Sequence, residues 1–215
     1  MGYTVRHEHR RHVHSSGRSS AQRVAAYGAW KASSEANKAA WHANETAASV
    51  AQIERDRWHK ELTPRLRIKI QNSPHDVLYI RFDGPGALGE VAVQITIRDD
   101  FDRSQFPHLA GTPTADQRAQ VIWGPYRFRP GVDDADPMGR SIPAFPLTPG
   151  DRHRLALDPS LKPPWYEGND REQRWRDEYR HSPIRLVARC TAAGHKPWDL
   201  AFAVPLDGTW AHGGE

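Results

Sequence analysis

Between Ala21 and Leu62 the chain has no proline and one glycine, Gly28, and its small residues recur at a helical spacing. Alternating steps of three and four residues connect Ala25, Ala29, Ala32, Ala36, Ala39, Ala43, Thr46, Val50 and Ile53 without a gap. That is the period of a coiled-coil seam. Ala26, Ser33, Ala40 and Ala47 beside it are also small, so the predicted face is wide, flat and lined with methyl groups. Ser19 followed by Gln22 has the capping-box spacing that satisfies free amides at a helix start. Near the far end Arg55, Arg57 and Lys60 suit the negative pole of the helix dipole, and Pro64 forces Thr63 out of the α region. The helix so predicted, 21–62, would be about 63 Å long.

Past Thr63 the period changes from helical to alternating. Leu66, Ile68 and Ile70 point one way while Arg67 and Lys69 point the other. Residues 76–83 (DVLYIRFD) read as a more buried strand, and Val91, Val93, Ile95 and Ile97 alternate after the turn-rich GPGALG. Further strands are expected at 119–123, 152–157, 184–191 and 198–204, with a short helix around 171–180. Short strands, proline and glycine at the joints and no intervening long helix predict an antiparallel β-sandwich. The expected fold class is therefore α+β: a long N-terminal α-helix of coiled-coil period, then an antiparallel Ig-like β-sandwich. Residues 1–18 form a basic His/Arg-rich arm expected to be disordered, 19–62 the alanine-rich helix and 63–215 the β-sandwich domain.

Alanine has the highest helix propensity, so the same segment also suits a solvated spacer, or a helix packed back on the β domain. Three indoles, Trp30, Trp41 and Trp58, argue against a bare spacer, because exposed tryptophan is costly unless it covers a partner. An alanine methyl buries little area, and at ~25 cal/mol per Å² any seam pairing should be close and modest in strength.

Charge is placed unevenly. Of 30 basic and 26 acidic side chains, five and one fall in residues 1–23, leaving 25 of each in the rest. Arg6, Arg10, Arg11 and Arg18, among His7, His9, His12 and His14, point to phosphate contacts with nucleic acid or another polyanion. A solubilising tail, a mis-called start and histidine-bound metal are the other readings of the arm. HEHRRH at 7–12 fails as a zinc-protease helix because Arg11 stands where the second histidine belongs.

Other candidate chemistry is thin. Asp134, Asp136 and Gly139 imitate a calcium loop, but Met138 replaces an oxygen ligand and Phe145 the closing glutamate, so a charged turn is expected. Cys190 follows Ile184, Leu186 and Ala188 on one strand face and reads as a core thiol; a lone cysteine excludes an intramolecular disulfide framework and suits a reducing compartment. No nucleophile elbow, phosphate loop or dinucleotide fingerprint occurs. His153, His181 and His195, with Asp151 or Glu178, would have to converge in space to make a metal-dependent hydrolase. Neither a membrane span, a secretory signal nor a myristoylation pattern is read, so a cytoplasmic protein without cofactor or metal is expected.

The exit WHKELTPRLRIKI (58–70), the strands RLVARCTAAGHKPWDLAFAV (185–204) and LTPGDRHRLALD (147–158) carry a family likeness. The chain resembles a loose group of uncharacterised actinobacterial proteins with an alanine-rich N-terminal helix, an ELTPR joint and an Ig-like β-sandwich. Members often carry a membrane span before the helix; here the His/Arg arm stands in that place. The resemblance implies a fold and no activity. The expected function is a non-catalytic interaction or scaffold protein. Its helix would bind a protein partner or a second copy, and loops 99–118, 124–146 and 163–182 would present surfaces such as Trp165, Tyr166, Trp175 and Tyr179. Nucleic-acid binding through residues 1–23 is the first alternative, and a metal-dependent hydrolase the second.

Overall fold

The computed structural model describes residues 20–72, 74–99, 113–166 and 168–213, except for the side chains of residues 21, 22 and 115. A long helix precedes antiparallel sheets, a mixed α+β arrangement. Two compact units divide between Asp56 and Arg57.

The helix, α1, runs Ser20–Glu61, one residue earlier at each end than expected. The cap assigned to Ser19 lies outside the described residues. Polar side chains along α1 satisfy one another locally. Gln52 donates to Asp56 at 2.9 Å and accepts from Arg55 at 2.8 Å, and the Thr46 hydroxyl donates to the carbonyl of His42 at 2.9 Å. At the exit the Thr63 hydroxyl donates to the Lys60 carbonyl at 2.8 Å, and Pro64 is buried, so the chain stops being helical where the sequence predicted it would.

The second unit holds nine strands among the described residues: β1 Arg65–Gln71, β2 Val77–Gly84, β3 Val91–Ile97, β4 Tyr126–Phe128, β5 Ser141–Leu147, β6 Arg152–Pro159, β7 Ile184–Thr191, β8 Trp198–Val204 and β9 Ala211–His212. They form a five-stranded sheet, β4-β6-β2-β1-β9, and a four-stranded sheet, β5-β3-β7-β8, with every pairing antiparallel. Alternation explains the core. One face of β1 (Leu66, Ile68, Ile70) and of β2 (Leu78, Ile80, Phe82) joins the inward residues of β3, β7 and β8 in a single buried cluster. Each such side chain stabilises the fold by roughly 1.5–3 kcal/mol over leaving it in water. Cys190 sits fully buried in that cluster, and burial pushes its thiol up to about 12, so it is a packing residue and not a nucleophile.

Three strands were not anticipated, and one anticipated strand is absent. β5 carries Pro143 and Pro146, which read as breakers; it is tolerated because it is an edge strand of the four-stranded sheet. β4 and β9 are three and two residues long, too short for a period to register. Residues 119–123 do not pair. Thr114 and Gln117 instead form a reciprocal capping box that starts a short helix, α2, Ala115–Ala119, and Val121, Ile122 and Trp123 are buried after it. A short apolar run does not by itself distinguish a strand from a packed turn.

The helix expected near 171–180 is present as α3, Arg171–Tyr179. The 133–141 loop is the charged turn the sequence suggested. Asp136 accepts from the backbone amides of Met138, Arg140 and Ser141 at 2.9, 3.1 and 2.6 Å, and from the Ser141 hydroxyl at 2.7 Å. Burial raises its pKa, but those bonds outweigh it and hold the carboxyl below its usual range. Gly139 has φ +75°, and a Cβ there would lie 2.1 Å from the Phe128 carbonyl oxygen, so only glycine fits.

Candidate functional site

Seven of the nine large hydrophobic side chains exposed among the described residues lie on α1. They are Val24, Tyr27, Trp30, Trp41, Val50, Ile53 and Trp58, each more than half exposed. The seam residues Ala25, Ala29, Ala32, Ala36, Ala39, Ala43, Thr46, Val50 and Ile53 are all solvent-facing. On a straight helix a strict seven-residue repeat drifts by about 20° per heptad, so this stripe winds slowly around α1.

The indoles are not part of that stripe. At 3.6 residues per turn, Tyr27, Trp30, Ser34 and Trp41 fall about 160° around the axis from Ala29, Ala32, Ala36 and Ala39. The Tyr27 and Trp30 rings lie 6.0 Å apart. Trp30 and Trp41, about 16 Å apart along the axis, frame a shallow notch floored by Ser33, Ser34, Asn37 and Lys38. Ser34 in that notch is half-buried, while the residues on either side of it are exposed. The helix thus offers a methyl face and an aromatic face. Helical angles could have revealed this in the sequence, where the tryptophans were read without a side assigned.

The four aromatics assigned to partner binding separate into two pairs. Trp175 and Tyr179, one turn apart on α3, are each 3% exposed and pack with Val121 and Trp123 in a second small core. They are not exposed binding aromatics. Spacing of i and i+4 puts both on the helix face that turns inward. Trp165 and Tyr166 are half-buried against the same cluster. The Trp175 indole N–H donates to the Ser160 hydroxyl at 2.9 Å, and that hydroxyl donates to the Gly124 carbonyl. Arg140 donates to the Val121 carbonyl at 2.7 Å and pairs with Asp99 at 3.1 Å, holding the segment before Trp123 in place. Of the three proposed presenting loops, 163–182 folds over this nest, 124–146 contains β4 and most of β5, and most of 99–118 lies outside the described residues.

Beside the nest is a cleft of about 570 Å³ lined by Tyr126, Ser160, Trp175, Arg176, Arg180 and their neighbours. Burial and the adjacent, hydrogen-bonded Asp76 carboxylate push the Tyr126 phenol up to about 12. It stays a proton donor at neutral pH, so the cleft supplies donors and cations but no phenolate base.

His153 faces Phe145 in a stack at 4.0 Å, and burial lowers its pKa against the opposing charge of Asp133. His195 lies 5.5 Å from Trp198, and His181 is exposed. The three sit in separate surroundings, and no metal-ligating group of three or more His, Cys, Asp or Glu occurs among the described residues. Arg6, Arg10, Arg11 and Arg18 lie outside the described residues. No described helix is long and apolar enough to cross a membrane.

Fold and surfaces together define a mixed α+β protein: a long exposed helix followed by antiparallel sheets. Comparison with protein-family models, curated proteins and solved structures gave no match.

Proposed function

We propose that this chain is a non-catalytic interaction or scaffold protein whose helix meets another helix, either a second copy or a helical partner. One observation carries the reading: exposed large apolar side chains are concentrated on α1 and rare elsewhere among the described residues. Apolar surface kept in water at that density marks a contact surface. In this reading the two sheets make an Ig-like β-sandwich of the kind the actinobacterial likeness implies, and the chain works in the cytoplasm.

Light scattering on the full-length chain tests it, comparing the wild type with Ala32→Glu/Ala39→Glu. Glutamate is a good helix former, so helicity should persist while two charges enter the methyl face. The expected result is an oligomer that becomes a monomer. A monomeric wild type would reject self-association. Trp30→Ser/Trp41→Ser, on the opposite face, reports whether the aromatic notch belongs to the same contact.

The charge excess of residues 1–23 supports a second reading, polyanion binding through Arg6, Arg10, Arg11 and Arg18. Replacing all four by serine should then abolish salt-sensitive retention on duplex DNA.

A further inference from the structure

The outward face of the five-stranded sheet concentrates positive charge that the neutral composition of residues 24–215 conceals. Strand register places Arg67 opposite Arg81, and Arg81 opposite Arg152, in one row across β1, β2 and β6. The next row is Lys69, Tyr79 and Arg154. Partners in a row stand about 5 Å apart at Cβ, and the two rows, two residues along each strand, about 7 Å apart. Trp210 covers the β9 side, with Lys69 Nζ 4.9 Å from its ring centroid and the Arg67 guanidinium 5.5 Å away. Lys69 also lies 6.0 Å from the Tyr79 ring.

Like charges directly opposed across strands destabilise a sheet. Asp83 relieves part of that repulsion, accepting a hydrogen bond from Arg67 at 3.1 Å and forming an ion pair with Arg81 at 2.9 Å. Arg152 and Arg154 are exposed and have no ion-pair partner among the described residues. A sheet face that retains this repulsion, with two rings interleaved, has the composition of a track for a flexible polyanion that also offers flat groups to stack.

We infer that the face built from Arg67, Lys69, Tyr79, Arg81, Arg152, Arg154 and Trp210 binds single-stranded nucleic acid. Phosphates take the arginine rows, and bases stack on Tyr79 and Trp210 as Lys69 moves from the rings to the backbone. Flatness and the aromatic pair favour a single strand: a duplex would present phosphates but no free base faces. Protruding apolar side chains, which would insert into a lipid surface, are missing from these two rows. The site shares no residue with the helix or the arm.

The test is fluorescence anisotropy of the full-length chain with a labelled oligo-dT of about 15 nucleotides, near the upper length for one site. Heparin, duplex DNA of equal length and phosphatidylglycerol vesicles are the competitors. Arg152→Glu/Arg154→Glu should weaken binding at least tenfold and reduce the log–log salt slope by about 1.4, two phosphates' worth for a single strand. Tyr79→Ala/Trp210→Ala should weaken oligo-dT binding about five-fold or more and leave heparin retention unchanged. Arg185→Glu/Arg189→Glu, on the other sheet, and serine at the four arm arginines should each leave a binding phase of wild-type affinity. Circular dichroism confirms that each variant is folded. No binding by the wild type, loss of all binding with the arm substitutions alone, or insensitivity to both sheet-face variants would overturn the inference. Tighter competition by vesicles or duplex than by unlabelled oligo-dT would overturn it too, assigning the face to lipid or to duplex.

Discussion

The two sheets share one core and the same in–out alternation, yet their outer faces have opposite character. On the five-stranded sheet, basic residues stand opposite basic residues. Across the four-stranded sheet, Gln94 faces Arg189, which faces Asp199, and Thr96 faces Val187, which faces Ala201. There the cross-strand charge pair Arg189–Asp199, at 3.9 Å, is more than half exposed on both sides and is worth little. The difference teaches that the core dictates which residues point out but not what they are. Charge on an outer face is free to follow function, and where it opposes stability, function is the better explanation.

The largest change to this comparison comes from removing what the faces share. Phe82→Ala, at a fully buried core position, should cost about 3–5 kcal/mol in chemical denaturation and loosen both sheets together. Asp136→Ala strikes only the edge where β5 begins. It strips acceptors from the amides of Arg140 and Ser141 and should cost about 1–3 kcal/mol, with faster amide exchange in β5 than in β1. Its pH dependence has a definite sign. The folded carboxyl lies below its unfolded value of about 3.9, so its contribution is present above that pH and is lost as the pH falls through the lower folded value. Asp136→Ala should therefore be less sensitive to acid than the wild type.

Trp198→Phe tests the opposite edge strand, β8. The indole N–H of Trp198 donates to the His59 carbonyl at 3.0 Å, and the two rings stack at 4.5 Å, within the second compact unit. Losing that bond should cost about 1 kcal/mol, read by thermal denaturation. It also means that a β-unit fragment should begin at Arg57 and not at Thr63. The smallest effect has the opposite sign. Arg152→Glu places opposite charges across from Arg81 and should gain about 0.2–1 kcal/mol even as polyanion binding falls. A variant that lost both stability and binding would show the basic rows to be structural.

Much of this is legible in the sequence. The proline-free run ending at Thr63–Pro64 announced α1, and alternation announced β1, β2, β3, β6, β7 and β8, because those patterns are local and periodic. β5 was hidden by Pro143 and Pro146, whose tolerance depends on an edge position that sequence order does not show. Residues 119–123 have the apolar run of a strand, but the capping box at Thr114 starts a helix just before them and tertiary packing buries the run as a turn. Trp175 and Tyr179 were read as exposed because their partners, Val121 and Trp123, lie some 50 residues earlier in the chain.

The sequence by itself determined the long helix, its methyl seam and the inward face of most strands, since each follows from spacing within one segment. Arg67 and Lys69 were visible as outward residues of β1. Only the tertiary structure decided that Arg81, Arg152, Arg154, Tyr79 and Trp210 stand beside them. Strand pairing aligns residues as far apart in the chain as Arg81 and Arg152, and their charges add in space while cancelling in the composition.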